Sequence, residues 1–227
     1  MSSLGAVLAP GNPWFSTRYL RDNSGTIVSA LREHVTLTVL TILIGLVISF
    51  PLALLARRHR SLAAPILTTT GLLYTVPSLA LFSILVPFTG LTERTVIIGL
   101  VMYVLLILVR NILTGLDGVP AEVRDAARGM GYGPVQMLWR VDLPIALPAI
   151  MAGIRIATVS TIALVTVGQT VGYGGFGALI LNGYNNNFYR AEIATGALGC
   201  VALALLADVL LLAVSRVLSP WSRSRPA

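Results

Sequence analysis

The chain has 227 residues, of which 56% are apolar and only 11% charged, and its mean hydropathy is +0.84. Soluble domains run at roughly 45–50% apolar and about 25% charged, so this composition excludes a soluble enzyme, a disordered chain and a free nucleic-acid-binding domain. The net charge of +7, from 16 basic and 9 acidic residues, then reads as the basic excess that a membrane protein turns to the cytoplasm.

Crossing roughly 30 Å of hydrocarbon takes about 20 mostly apolar helical residues, and that ruler predicts five spans in an all-α, polytopic chain. Residues 1–34 precede them. Pro10–Asn23 is polar and carries no signal-peptide pattern, so the first apolar run is expected to stay as an anchor. Trp14, Phe15, Tyr19 and Leu20 suit either a short interfacial helix or a loose tail. The first span runs from Val35 to Ala56 and is closed by Arg57, Arg58, His59 and Arg60. The second lies within Leu62–Phe88; this stretch exceeds one span, so it tilts or breaks at Pro77. The third runs from about Arg94 to Leu113, the fourth from Ala146 to Gly168 and the fifth from Ala191 to Val214. The permease domain so defined covers residues 35–215, and 216–227 form a tail. Cys200 falls inside the fifth span as a small apolar residue.

Arginine placement sets the orientation. One side collects Arg57, Arg58, Arg60, Arg124, Arg128, Arg140, Arg216, Arg223 and Arg225, against Arg18, Arg21, Arg32, Arg94 and Arg190 on the other. The positive-inside rule then predicts an outer N-terminus and a cytoplasmic C-terminus.

The polar stretch 114–142 reads as two short helices around a turn. Pro120 suits the first helical position, and Val123, Ala126, Ala127 and Met130 recur on one face. Gly131–Gly133 turns the chain. Pro134 opens a second helix whose Val135, Leu138 and Trp139 share a face, and Leu143-Pro144 leads into the fourth span. Small alanines in the first helix allow another surface to approach, so this is a docking element.

The run VRDAARGMGYGPVQMLWRVDLPIALPAIMAGIRIA resembles the cytoplasmic motif of ATP-binding-cassette (ABC) importer permeases. The match falls on Asp125, Ala126 and Ala127, then Gly131, Val141, Leu143 and Pro144, with Asp125 standing where that family usually has Glu. Further stretches, YTVPSLALFSILVPFTGL, LLILVRNILTGL and TVGYGGFGALILNG, are similar to the glycine betaine/carnitine/choline permeases within that superfamily. The resemblance implies the type I (MetI-like) importer fold with a cytoplasmic coupling-helix loop at 114–144, in which Glu122 joins the matched residues. It also implies a bacterial inner membrane location, cytoplasmic ABC ATPase subunits, an extracytoplasmic solute-binding protein and a second permease, either a copy or a paralogue. The substrate it implies is glycine betaine, choline, carnitine or proline betaine. An importer of another small polar solute, such as an amino acid, and an ATP-independent secondary transporter or channel are the competing readings.

The chain has no lysine and no phosphate-loop motif, so ATP and Mg are expected on the partner ATPase, with no catalytic residue, metal or cofactor here. Charges inside spans need a reason. Arg155 and Asp208 are expected either to pair across helices, to snorkel, or to meet the neighbouring permease; Arg110 is near enough to its span's end to snorkel. Aromatic faces hold quaternary ammonium groups, which makes Tyr74, Phe82, Phe88, Tyr103, Tyr173 and Phe176 candidates for the translocation path, with Pro77 at the broken helix. Gly172, Gly174, Gly175 and Gly177 form either a tight turn near the path's outer end or a purely structural one.

Overall fold

The computed structural model describes residues 11–223. Residues 1–10 of the N-terminal segment and 224–227 of the tail, with Arg225, lie outside the described residues. The described chain is helical throughout: α1 Thr17–Asp22, α2 Ser24–Arg58, α3 Arg60–Thr75, α4 Ser78–Thr89, α5 Glu93–Asp117, α6 Ala121–Gly129, α7 Pro134–Met137, α8 Leu143–Val165, α9 Phe176–Asn185 and α10 Arg190–Leu218. Among the described residues, four helical stretches are long and apolar enough to cross a membrane: Ser24–Arg58, Glu93–Asp117, Pro134–Val171 and Arg190–Leu218. The bent pair Arg60–Thr75 and Ser78–Thr89 makes a fifth if it counts as one span.

Proline chemistry explains the bend. Val76 precedes a proline and is pushed out of the helical region, while Pro77 has no amide hydrogen to continue the ladder. Pro77 takes φ −58° and ψ 132° as the cap of α4, and the two helices meet at 97°. Of the two outcomes open for this stretch, a tilt or a break at Pro77, the break is present. The first long helix starts at Ser24, eleven residues before the apolar run at Val35, because Arg32, Glu33 and His34 are helical and His34 is fully buried.

The described residues of the N-terminal segment are ordered. The Ser16 side chain accepts a hydrogen bond from the amide of Tyr19 and caps α1. Asn12 binds the Phe188 carbonyl at 2.9 Å and accepts from the Arg190 amide at 3.0 Å.

The chain forms two compact units. One takes the residues up to Thr41, Val76–Val101 and Val159–Leu206; the other takes Ile42–Thr75, Met102–Thr158 and the residues from Ala207. The first unit has cores around Leu37, Phe82, Val96 and Leu100, and around Ala30, Phe176 and Leu179. Within the second, Val104, Leu108, Ile112 and Leu116 on α5 build the main core with Ala146 and Ala157 on α8. Gly115 permits that packing, since a Cβ there would sit 2.9 Å from the Ala146 carbonyl oxygen.

Candidate functional site

The 114–144 segment is anchored by one buried carboxylate. Asp142 is 5% exposed, which demands compensation for its charge. Arg124 on α6 supplies Nε at 2.9 Å, and Arg57 at the end of α2 supplies Nη1 at 2.8 Å. Arg124 also donates from Nη2 to the Leu116 carbonyl at 2.7 Å, filling an orphan acceptor near the end of α5. A single acid thus ties α2, α5 and α6 to the chain entering α8. Sequence reasoning did not single out this triad. Its signal was an Asp flanked by Val141 and Leu143, too apolar a setting for an unpaired acid.

The motif residues divide by direction. Ala127 packs inward with Val119, Met137 and Val141, with Tyr132 against them. The smallness of Ala127 therefore serves contact within the chain, and only Ala126 is open to an approaching surface. Val123, Met130, Val135 and Trp139 are exposed; Met137 and Val141, four apart, face inward in place of the expected Val135 and Trp139 face. Glu122 is exposed, and Asp125 pairs with Arg128 on its own helix at 2.9 Å. Pro120 caps α6 with an extended backbone, one position before the expected N1, while Pro134 does open α7.

Gly131 makes the turn with φ +84°, a conformation that costs little only for glycine. A Cβ there would meet nothing within 4 Å. Leu138–Asp142 then widens into a π turn, with the Leu143 amide bonding to the Leu138 carbonyl. Pro144 lacks the amide that an α turn would use at that point. Helix α7 thereby runs on through the π turn into α8, within the helical stretch Pro134–Val171.

Arg155 and Asp208 meet in a two-pronged pair, Nε to Oδ1 at 2.9 Å and Nη2 to Oδ2 at 2.8 Å. This matched geometry orients as well as neutralises both groups. Arg110 is exposed.

The glycine-rich turn is held from α2. Gly172 and Gly175 have φ of +98° and +53°, and Gly177 lies so close to the Thr166 backbone that a Cβ would collide with its carbonyl oxygen. Glu33 accepts from the Gly175 amide at 3.1 Å. His34 Nδ1 accepts from the Phe176 amide at 3.2 Å, and Nε2 lies 2.9 Å from the Ile162 carbonyl. An amide only donates and a carbonyl only accepts, so His34 is the neutral tautomer with its proton on Nε2. Sequence reasoning also missed this clamp, because its partners are 128 and 142 residues away.

The aromatic candidates separate. Phe82 and Phe176 are 1% and 4% exposed and pack against Gly99 and Gly199, so neither offers a ring face. Tyr103 is buried, with its ring edge-on to the exposed Tyr74 at 6.0 Å. Tyr173 is half-buried, while Phe88 and Pro77 are exposed.

An all-helical chain with four or five candidate spans, one of them fused to a motif-bearing segment, is a polytopic membrane protein. The family of binding-protein-dependent transport system inner membrane components matches residues 27–224, and the chain belongs to it as a permease subunit of an ABC importer. The chain is 38% identical to the osmoprotectant import permease protein OsmW of Salmonella typhimurium, over 89% of this chain and 96% of that one. It is 33% identical to the glycine betaine/carnitine/choline transport system permease protein OpuCD of Bacillus subtilis, over 91% and 90%. Among solved structures, an inward-facing MetNI methionine ABC transporter chain shares the fold with a TM-score of 0.75 at 21% identity, covering 86% of this chain and 97% of that one.

Proposed function

We propose that the chain carries an osmoprotectant with a quaternary ammonium group, of the glycine betaine, choline, carnitine or proline betaine class, into a bacterial cell. Cytoplasmic ATPase subunits drive the import, an extracytoplasmic binding protein delivers the substrate, and a second permease completes the path. The similarity to OsmW and OpuCD supports the substrate class. Exposed Tyr74 and Phe88 and half-buried Tyr173 are the ring faces that remain for a weak, transient cation contact.

The observation that carries the mechanism is the helical continuity from the motif segment through the π turn into α8, pinned at Asp142. A push on residues 120–142, delivered when ATPase subunits close, enters α8 with no loop between the π turn and Leu143. Leu143 and Pro144 pass it into α8, and Arg155 passes it to α10 through Asp208. The exposed face of Glu122, Asp125, Ala126 and Gly131, with Val123 and Met130, is the surface that receives the push. The 57–60 loop and the tail share its side of the membrane, and the N-terminus and Gly172–Gly177 lie outside. Alternating access follows, with substrate passing between two permeases.

Uptake of radiolabelled betaine, choline, carnitine and proline by vesicles carrying the full complex tests substrate and energy source together. Gly131→Trp fills the open space over the turn and is expected to abolish substrate-stimulated ATPase activity while leaving membrane insertion intact. Normal stimulation in that variant would overturn the coupling role.

A further inference from the structure

A cavity of about 570 Å³ opens beside the Asp142 triad. Arg57, Arg58, Arg124 and Arg128 line it, and Asp142 is the one acid on its wall. Four guanidinium groups against one carboxylate leave a net +3 on the wall. Arg57 and Arg124 are held in place by Asp142; Arg58 is exposed and makes no ion pair among the described residues, and the pair between Arg128 and Asp125 is exposed. The first two build a buried back wall and the second two stand at the exposed rim. Leu54, Met137 and Leu138 supply an apolar floor to the same cavity.

Arg57 and Arg58 are the last two residues of a 35-residue helix whose apolar run ends beside them. That placement puts the cavity at headgroup depth. A cationic wall over an apolar floor at this depth complements an amphiphile: a phosphate among the arginines and glycerol carbons against the leucines. Basic pockets between helices on the cytoplasmic side hold anionic lipid headgroups by this chemistry. A free phosphate would use only the wall.

We infer that the cavity between the end of α2 and the α6–α7 turn binds the phosphate headgroup of an anionic phospholipid of the cytoplasmic leaflet. This assignment rests on the proposed topology. An occupied site would brace the motif segment from the membrane side, leaving the exposed Val123–Met130 face free.

The test is native mass spectrometry of the full-length chain in mixed micelles, titrated with phosphatidylglycerol against a phosphatidylcholine background. The wild type is expected to retain phosphatidylglycerol in preference to phosphatidylcholine. Arg58→Gln with Arg128→Gln should weaken that binding roughly thirtyfold, from two surface arginines. Both side chains are exposed, so folding is not at stake, and helicity by circular dichroism checks this. Asp125→Asn releases Arg128 and should tighten binding, a change of opposite sign. Equal retention of the two lipids, or a double variant within about threefold of wild type, overturns the inference. Displacement by millimolar inorganic phosphate also overturns it, assigning the wall to small anions. Binding in micelles is blind to orientation and to transport, so such a failure leaves the proposed topology standing. Labelling of His59→Cys in a Cys200→Ala background, from inside or outside vesicles, tests that topology separately.

Discussion

Arg124 reaches back from a short surface helix to place its Nε 2.9 Å from Oδ1 of Asp142, 18 residues further along the chain. The contact closes the motif segment into a loop with a charged knot at its base. Because Arg57 binds the other carboxylate oxygen, the knot also includes the end of α2. Everything that the segment transmits to α8 passes this point.

Removing the acid should therefore undo the segment. Asp142→Asn leaves two arginines facing each other without a counter-charge in a poorly solvated site. Breaking a buried pair from one side costs about 3 kcal/mol. The expected outcome is a lower thermal midpoint in micelles, together with faster proteolysis between Asp117 and Asp142. An unchanged melting curve would show that the triad is not structural.

The pair of Arg155 and Asp208 calls for a different test, because both side chains are about one-third exposed in the single chain, at 29% and 35%. Arg155→Ala and Asp208→Ala should each lower thermal stability and transport. Exchange of the two, Arg155→Asp with Asp208→Arg, should recover part of both losses. Additive effects in the double-alanine variant would mean that the pair is not coupled.

Two glycines should respond to different degrees. Gly131→Ala places a Cβ in open space and bears only the strain of φ +84°, about 1 kcal/mol. Gly177→Ala drives a Cβ into the Thr166 backbone, and relief requires moving α9, at about 3 kcal/mol. Expression yield and melting temperature should thus fall further for Gly177 than for Gly131. Equal losses would refute the packing assigned to the glycine-rich turn.

Tyr19 offers a spectroscopic check on the outer segment. Burial, then the neighbouring Glu192 carboxylate and Tyr189, push its hydroxyl up to about 12, against about 10 in an unfolded chain. The folded state holds this proton more tightly. Its contribution to stability is complete below about pH 10 and is lost as pH rises towards about 12. The phenolate absorbance of wild type minus Tyr19→Phe should rise only near the upper end of that window. A rise centred near 10 would show Tyr19 solvated and α1 undocked.

Apolar run length was enough to read the membrane class and the five hydrophobic stretches, and it left a tilt or a break at Pro77 open, because these depend on composition and backbone chemistry within about 20 residues. The motif at Asp125–Pro144 was legible for the same reason, as a local pattern of small residues, a turn glycine and a proline. The inward turn of Ala127, the burial of Phe82 and Phe176, and the knot at Asp142 were not. Each depends on which distant surface a side chain meets: Arg57 is 85 residues from Asp142, and His34 is 142 residues from the amide it receives. Helical periodicity says which residues share a face, but in an apolar chain most faces look alike. Only the packed structure distinguishes the face that meets protein from the one left open, because steric fit and pairing of buried polar groups make that choice.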